Sequence, residues 1–195
     1  LLMTGKSKCT DLGGLFRTMP LTCVCGIIGA LAISSFPLTS GFVSKSMISE
    51  AAARHADREA VVSGCERLTY AQLDERANGL AHLMLRRGIG AEDLVAIALP
   101  RSVEMVVALL AVLKTGGAYL PLDPDYPPAR IAMMLEDADP KLVLTASGLT
   151  EGLQGFDLLV LDTAETKAEL ADASPRAPND QDRRRPVDQR HPAYV

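Results

Sequence analysis

"LKTGGAYLPLDPDYP", residues 113–127, is the stretch that decides the fold. A run of helix formers ends at Lys114, two glycines follow, then a short uncharged string, then prolines alternating with aspartates. Gly116 or Gly117 can supply the left-handed residue that ends a helix. "AYLPL" then runs back as a short strand. Pro121 has no N–H to give a ladder, so that strand is short, irregular or near an edge. "DPDYP" turns the chain, and Pro127 with Pro128 suits the first turn of another helix.

Outward from this stretch, the same alternation continues on both sides. "SVEMVVALLAVLKTG", residues 102–116, has almost no polar face and reads as a well-buried helix. "DLVAIALP", residues 93–100, is a nearly all-apolar strand of the kind buried on both faces of a parallel sheet. "TYAQLDERANGLAHLMLRRG" places Leu73, Ala77, Leu80 and Met84 on one helical face. Thr69 and Gln72 have capping-box spacing at its start, and Gly88 follows two arginines at its end. Before it, "SEAAARHADREA" reads as polar and helical, and "AVV" and "RLTY" as short strands around a Gly64 turn.

Beyond the turn, "ARIAMMLEDAD" buries Ile131, Met134, Leu135 and Ala138, and "KLVLTAS" and "DLLVLD" are further strands. The resulting fold class is α/β, a partial parallel, doubly wound sheet flanked by helices, with right-handed crossovers. Ligands of such sheets sit beyond the carboxyl ends of the strands. With the sheet only partly present, an unpaired edge should favour aggregation. After Asp162 the pattern dissolves into "ASPRAPNDQDRRRPVDQRHP", a proline- and charge-rich loop in which the arginine triplet reads as solvated.

Composition excludes several classes. The net charge is -4 and aromatics make up 4%, which leaves neither the basic field nor the stacking platforms of a nucleic-acid partner. Cys9, Cys23, Cys25 and Cys65 form no disulfide framework and no complete zinc shell. His55, His82 and His191 have no nucleophile or acid paired with them in sequence and read as surface or amphipathic residues. Lys114 reads as a cation at a helix C-terminus. The chain opens on Leu1 and closes on "HPAYV", and both ends read as cut.

The amino-terminal stretch has a different character. No charge occurs between Arg17 and Lys45, and residues 18–44 are long enough to cross a hydrocarbon core of roughly 30 Å as a helix. A buried helix of a soluble protein is the alternative. Pro37 would break either helix. Residues 11–48, "DLGGLFRTMPLTCVCGIIGALAISSFPLTSGFVSKSMI", resemble the antiporter-like membrane subunits of complex I and of multisubunit cation/proton antiporters. That resemblance marks Lys45 as a proton-relay relic, since a lysine inside a membrane is costly and usually functional. A lysine snorkelling from a helix end is the plainer role. Membrane contact through residues 18–44 follows from the same resemblance.

Residues 68–145 resemble the N-terminal part of a nonribosomal peptide synthetase adenylation domain, in the adenylate-forming (AMP-dependent ligase) superfamily. "LTYAQL" is similar to the family's first core motif and "LKTGGAYLPLDPDYP" to its second, in order and at the expected separation. "HPAYV" resembles the run-in to the third, the Ser/Thr/Gly-rich phosphate loop. The resemblance implies ATP and magnesium as cofactors of the complete domain, and an amino acid and a carrier-protein domain as partners. It implies a cytoplasmic setting for this part. The residues it carries over, Leu68, Thr69, Tyr70, Gly116, Gly117, Tyr119, Pro121, Asp123 and Pro124, are scaffold, with Asp123 as a turn former. No catalytic, cofactor-binding or metal-binding residue is expected in this chain, because the glycines at 116 and 117 lack the Lys-Ser/Thr of a phosphate loop.

The expected organisation is an antiporter-like apolar segment (1–46), an N-terminal portion of an adenylation domain (47–172), and a loop leading toward the phosphate-loop motif (173–195). The expected function is a truncated amino-acid adenylation domain without activity on its own. The alternatives are an antiporter-subunit fragment with a fused passenger, and a non-functional chimaeric reading frame.

Overall fold

The computed structural model describes residues 55–187 and 191–195. The expected apolar segment 1–46, with residues 18–44 and Lys45, lies outside them. Among the described residues no helix is long and apolar enough to cross a membrane.

The fold opens with an antiparallel hairpin, β1 (Glu59–Ser63) and β2 (Glu66–Thr69), turned at Gly64, whose φ is 59°. This corrects the helical reading of "SEAAARHADREA" over its described part, which forms turns from His55 and a strand from Glu59. Local propensity yields here to packing. Ala60 and Val61 lie against the core, and Arg67 bonds Glu59 across the hairpin at 2.7 Å.

Helix α1 (Tyr70–Arg86) starts where Thr69 ends the hairpin. The Thr69 hydroxyl accepts from the Gln72 backbone N–H at 3.3 Å, and the Gln72 side chain accepts from the Thr69 N–H at 3.0 Å. This is the expected capping box. Leu73, Ala77, Leu80 and Met84 are all buried, as their spacing requires. The helix closes with Gly88 at φ 85° and the Ile89 N–H bonded to the Met84 carbonyl.

The main sheet consists of β3 (Leu94–Ala98), β4 (Ala118–Pro121), β5 (Leu142–Thr145) and β6 (Leu158–Val160), in the order β4-β3-β5-β6 and parallel throughout. Helix α2 (Val103–Thr115) links β3 to β4, and α3 (Pro128–Ala138) carries the chain from β4 past β3 to β5. The 3₁₀ turn Ser147–Leu149 lies between β5 and β6, and α4 (Ala164–Ala171) follows β6, capped by the Thr163 hydroxyl; this corrects the reading that regular structure ends at Asp162. Strand side chains alternate between faces. Val95, Ile97, Leu142 and Leu144 join the core beneath α1 and α2, whereas Ala96, Ala98 and Val143 join a second core with Ile131 and Leu135 of α3. Both faces are therefore covered, which is why these strands read as unbroken apolar runs.

β4 ends the four-stranded order, but its outer side is not bare. The Tyr119 N–H donates to the Ala193 carbonyl at 3.0 Å, and the Val195 N–H donates to the Tyr119 carbonyl at 3.1 Å. Tyr194 thus pairs with Tyr119 in parallel. Residues 193–195 cover the β4 edge beside Tyr119, while β6 ends the sheet on the other side with β5 as its strand partner among the described residues.

Candidate functional site

The carboxyl ends of β3, β5 and β6 frame a cavity of about 680 Å³. Its walls are mainly apolar, from Leu80, Leu99, Val107, Leu161 and Leu170, with Arg76, Glu104, Asp162 and Lys167 supplying charge. Arg76, Glu104 and Asp162 are already engaged. Arg76 bridges Glu66 at 3.2 Å and Glu104 at 3.1 Å, joining the hairpin to the first turn of α2. Asp162 accepts from the Ser147 hydroxyl and from the Ser147 backbone N–H. Those two bonds, the hydroxyl first, hold its carboxyl below the ordinary carboxylate range.

The nine motif residues from Leu68 to Pro124 lie elsewhere, and none of them lines this cavity; Lys45 is outside the described residues. Leu68 enters the core beneath α1 and α2, Thr69 caps α1, and Tyr70 is its first residue. Gly116 ends α2 at φ 90°, supplying the left-handed residue. Gly117 serves a different need, since a Cβ there would lie 2.9 Å from the Asp93 carbonyl oxygen. Tyr119 and Pro121 lie in β4, paired with Val95 and Ile97. Burial, and then the neighbouring Tyr194, push the Tyr119 hydroxyl's pKa up. Asp123 makes a local turn, its side chain accepting from the Asp125 N–H at 3.0 Å and its carbonyl from the Tyr126 N–H at 3.1 Å. Pro124 lies within that turn.

Two roles were invisible in the sequence. Lys114 does not serve its own helix end: its buried ammonium pairs with Asp74 of α1 at 2.8 Å. Asp74 also accepts from Asn78, whose Nδ2 donates in turn to the Pro175 carbonyl at 2.7 Å. The arginine triplet is not uniformly solvated either. The Arg183 side chain is only 6% exposed and donates to the Lys114 carbonyl. His82 contacts the Arg176 carbonyl at 2.9 Å, so residues 175–183 are tied down along α1 and α2 rather than hanging free.

Residues 48–195 match the family model described as AMP-binding enzyme. The chain belongs to the AMP-binding enzyme family. The relatives it matches include nonribosomal peptide synthetases. It is 47% identical over 147 residues to a dimodular nonribosomal peptide synthase of Bacillus subtilis (strain 168), a match that covers 74% of this chain and 6% of that protein. It is 47% identical over 117 residues to tyrocidine synthase 2 of Brevibacillus parabrevis, covering 60% of this chain and 3% of that one. The solved nonribosomal peptide synthetase FmoA3 superposes with a TM-score of 0.67 at 34% identity, over 77% of this chain and 16% of FmoA3. FmoA3 has also been solved in an AMPPNP-bound form. The chain thus carries a part of a nonribosomal peptide synthetase adenylation domain and spans a small fraction of the length of these relatives.

Residues 2–65 match a second family model, NADH:quinone oxidoreductase/Mrp antiporter, TM, overlapping the first at 48–65. Within that overlap, residues 59–63 form β1 and pair with β2 of the AMP-binding fold.

Proposed function

We propose that residues from about 47 onward act as the amino-terminal portion of an amino-acid adenylation domain for nonribosomal peptide synthesis. The reaction served is ATP plus amino acid to aminoacyl-adenylate and pyrophosphate, with later transfer to a carrier-protein thiol. ATP with magnesium supplies the activated phosphoryl centre when bound, and that chemistry depends on positioned donors around the phosphate. Among the described residues no group of three or more carboxylate, histidine or cysteine side chains is placed to hold a metal ion. Their contribution is placement. Leu68, Thr69 and Tyr70 join the hairpin to α1, and Gly116, Gly117, Tyr119, Pro121, Asp123 and Pro124 shape the helix end, edge strand and turn. On this reading residues 47–172 are the folded scaffold and 173–195 the lead toward the phosphate loop. The cytoplasm is its place of work, where ATP is present.

The observation that carries this reading is the pairing of Ala193–Val195 with β4. The run resembling the approach to a phosphate loop lies in the sheet, pointing toward the strands' carboxyl ends, where such folds bind ligands. Two measurements test it. The 195-residue chain should give no amino-acid-dependent exchange of labelled pyrophosphate into ATP. Residues 48–195 should, when substituted for the matching segment of the Bacillus dimodular synthase, support exchange with the recipient's own amino acid. A soluble, folded chimera without exchange would refute the proposal.

The match of residues 2–65 to an antiporter family favours a second reading for the amino-terminal part. Residues 1–46 are then an antiporter-derived segment contacting a membrane through 18–44, with Lys45 a relic of proton relay. Retention of the chain in carbonate-washed membranes supports this, and full recovery in the soluble fraction refutes it.

A further inference from the structure

Residues 183–187 lie along the end of α2, and residues 193–195 lie along the start of β4. Arg183 meets Lys114, Val187 meets Gly116, and Tyr194 pairs with Tyr119. The seat of Val187 exists only because residue 116 has no side chain: a Cβ there would lie 2.5 Å from Val187 Cγ2. Upstream, the Pro175 and Arg176 carbonyls hold to Asn78 and His82 of α1.

Arg183 is the cross-tie in this arrangement. Its Nε and Nη2 donate to the Lys114 carbonyl at 3.2 and 2.9 Å, while Nη2 also reaches the Pro178 carbonyl at 3.0 Å and Nη1 reaches Asp180 at 2.7 Å. One planar fork therefore binds its own segment on one side and the helix end on the other. A lysine could not hold that geometry. Neither neighbour does the same. Arg185 is 71% exposed and stands 3.8 Å from Glu92, and the Arg184 guanidinium lies over Gly88.

We propose that Arg183 is a positioning residue that sets the register of Ala193–Val195 on β4, and with it the point at which the chain leaves the sheet toward the nucleotide. The last clause rests on the adenylation reading; the register does not. Slipping a parallel strand by one residue turns its side chains to the opposite face and shifts the chain beyond it by about 3.3 Å. Misplacement on the order of 1 Å is already costly to a positioned reaction.

The test uses amide exchange in the full chain with Arg183→Lys, Arg183→Met and, as control, Arg185→Met. Exchange at Tyr119 and Val195 should accelerate about tenfold or more in Arg183→Met, less in Arg183→Lys, and not at all in Arg185→Met. Amides inside the sheet, such as Val143 and Leu161, should keep their rates. Unchanged exchange at Tyr119 and Val195 overturns the proposal. So does equal acceleration at all four sites in both Arg183 variants, which is the signature of general destabilisation.

The same substitutions in the synthase chimera separate the two readings. Arg183→Met should raise the KM for ATP about tenfold with a smaller effect on KM for the amino acid, and Arg183→Lys should recover part of the loss. An active chimera with both constants untouched by Arg183→Met overturns the positioning role. If Tyr119 and Val195 respond in the chain while the unsubstituted chimera is folded but inactive, the register assignment stands and the adenylation reading fails.

Discussion

Arg183 donates two hydrogen bonds to the carbonyl oxygen of Lys114, at 3.2 and 2.9 Å. The last carbonyls of a helix lack partners within it and carry the negative end of its dipole. Lys114 is the basic residue nearest to that end, yet its ammonium is 2.8 Å from Asp74 instead. A second cation, brought from the far end of the domain, takes the place at the helix end.

The Lys114–Asp74 pair should be strongly coupled. Lys114→Met leaves the Asp74 carboxylate facing a nearly dry helix interface and should lower stability by about 3 kcal/mol. Adding Asp74→Asn should restore part of that loss, so that the double variant is less destabilised than the two single losses summed. Urea titration followed by circular dichroism measures all three.

The glycines at the end of α2 should be intolerant for two different reasons. Gly116→Ala meets both a left-handed backbone and the Val187 methyl, and Gly117→Ala meets a backbone oxygen that cannot move aside. Each should cost about 1–3 kcal/mol. Gly64→Ala, which also has positive φ but open space around it, should cost about 1 kcal/mol, read from the same urea midpoints.

Removing the cap of α1 should cost less than either. Thr69→Ala deletes one of the two reciprocal bonds with Gln72 and should destabilise by about 1 kcal/mol, whereas Thr69→Ser should be close to neutral. A thermal melt of both variants checks this.

Asp162 gives a pH dependence of known sign. Its folded pKa is depressed, first by the Ser147 hydroxyl. Its contribution is therefore present above the ordinary carboxylate value of about 4 and is lost as pH falls through the lower folded value. In Ser147→Ala the Asp162 carboxyl should titrate closer to the ordinary value by NMR, and the acid limb of stability attributed to it should flatten. Tyr119 carries the opposite sign. Its folded pKa is raised by burial, so its contribution holds below about pH 10 and disappears as pH rises through the folded value.

The β4 edge is a further check. Val195→Pro removes the N–H that bonds the Tyr119 carbonyl, and deleting 191–195 uncovers the strand altogether. Uncovered edges pair with other chains. Light scattering should show more self-association for the deletion than for the full chain, with Val195→Pro between them.

Most of the framework was legible because its causes are local. Thr69 and Gln72 are three residues apart and make their own cap, Gly116 ends α2 through its own backbone, and the apolar strands announced a sheet covered on both faces. The helical reading around Arg58 and Glu59 failed because pairing with Arg67 and Thr69 outweighed intrinsic preference. The two sequence motifs located the start of α1, the end of α2 and strand β4, but nothing in them disclosed the cavity at the carboxyl ends of β3, β5 and β6, whose walls come from segments far apart in the chain.

By itself the sequence determined the strand–helix alternation from β2 to β6, the start of α1, the end of α2 and the family, since periodicity, caps and breakers act over a few residues. Tertiary structure alone decided which cation serves the end of α2, that Lys114 turns inward to Asp74, and that residues 193–195 cover β4. Those outcomes depend on groups brought together from opposite ends of the domain, where burial makes an unpaired charge or carbonyl costly and selects the one partner able to reach it.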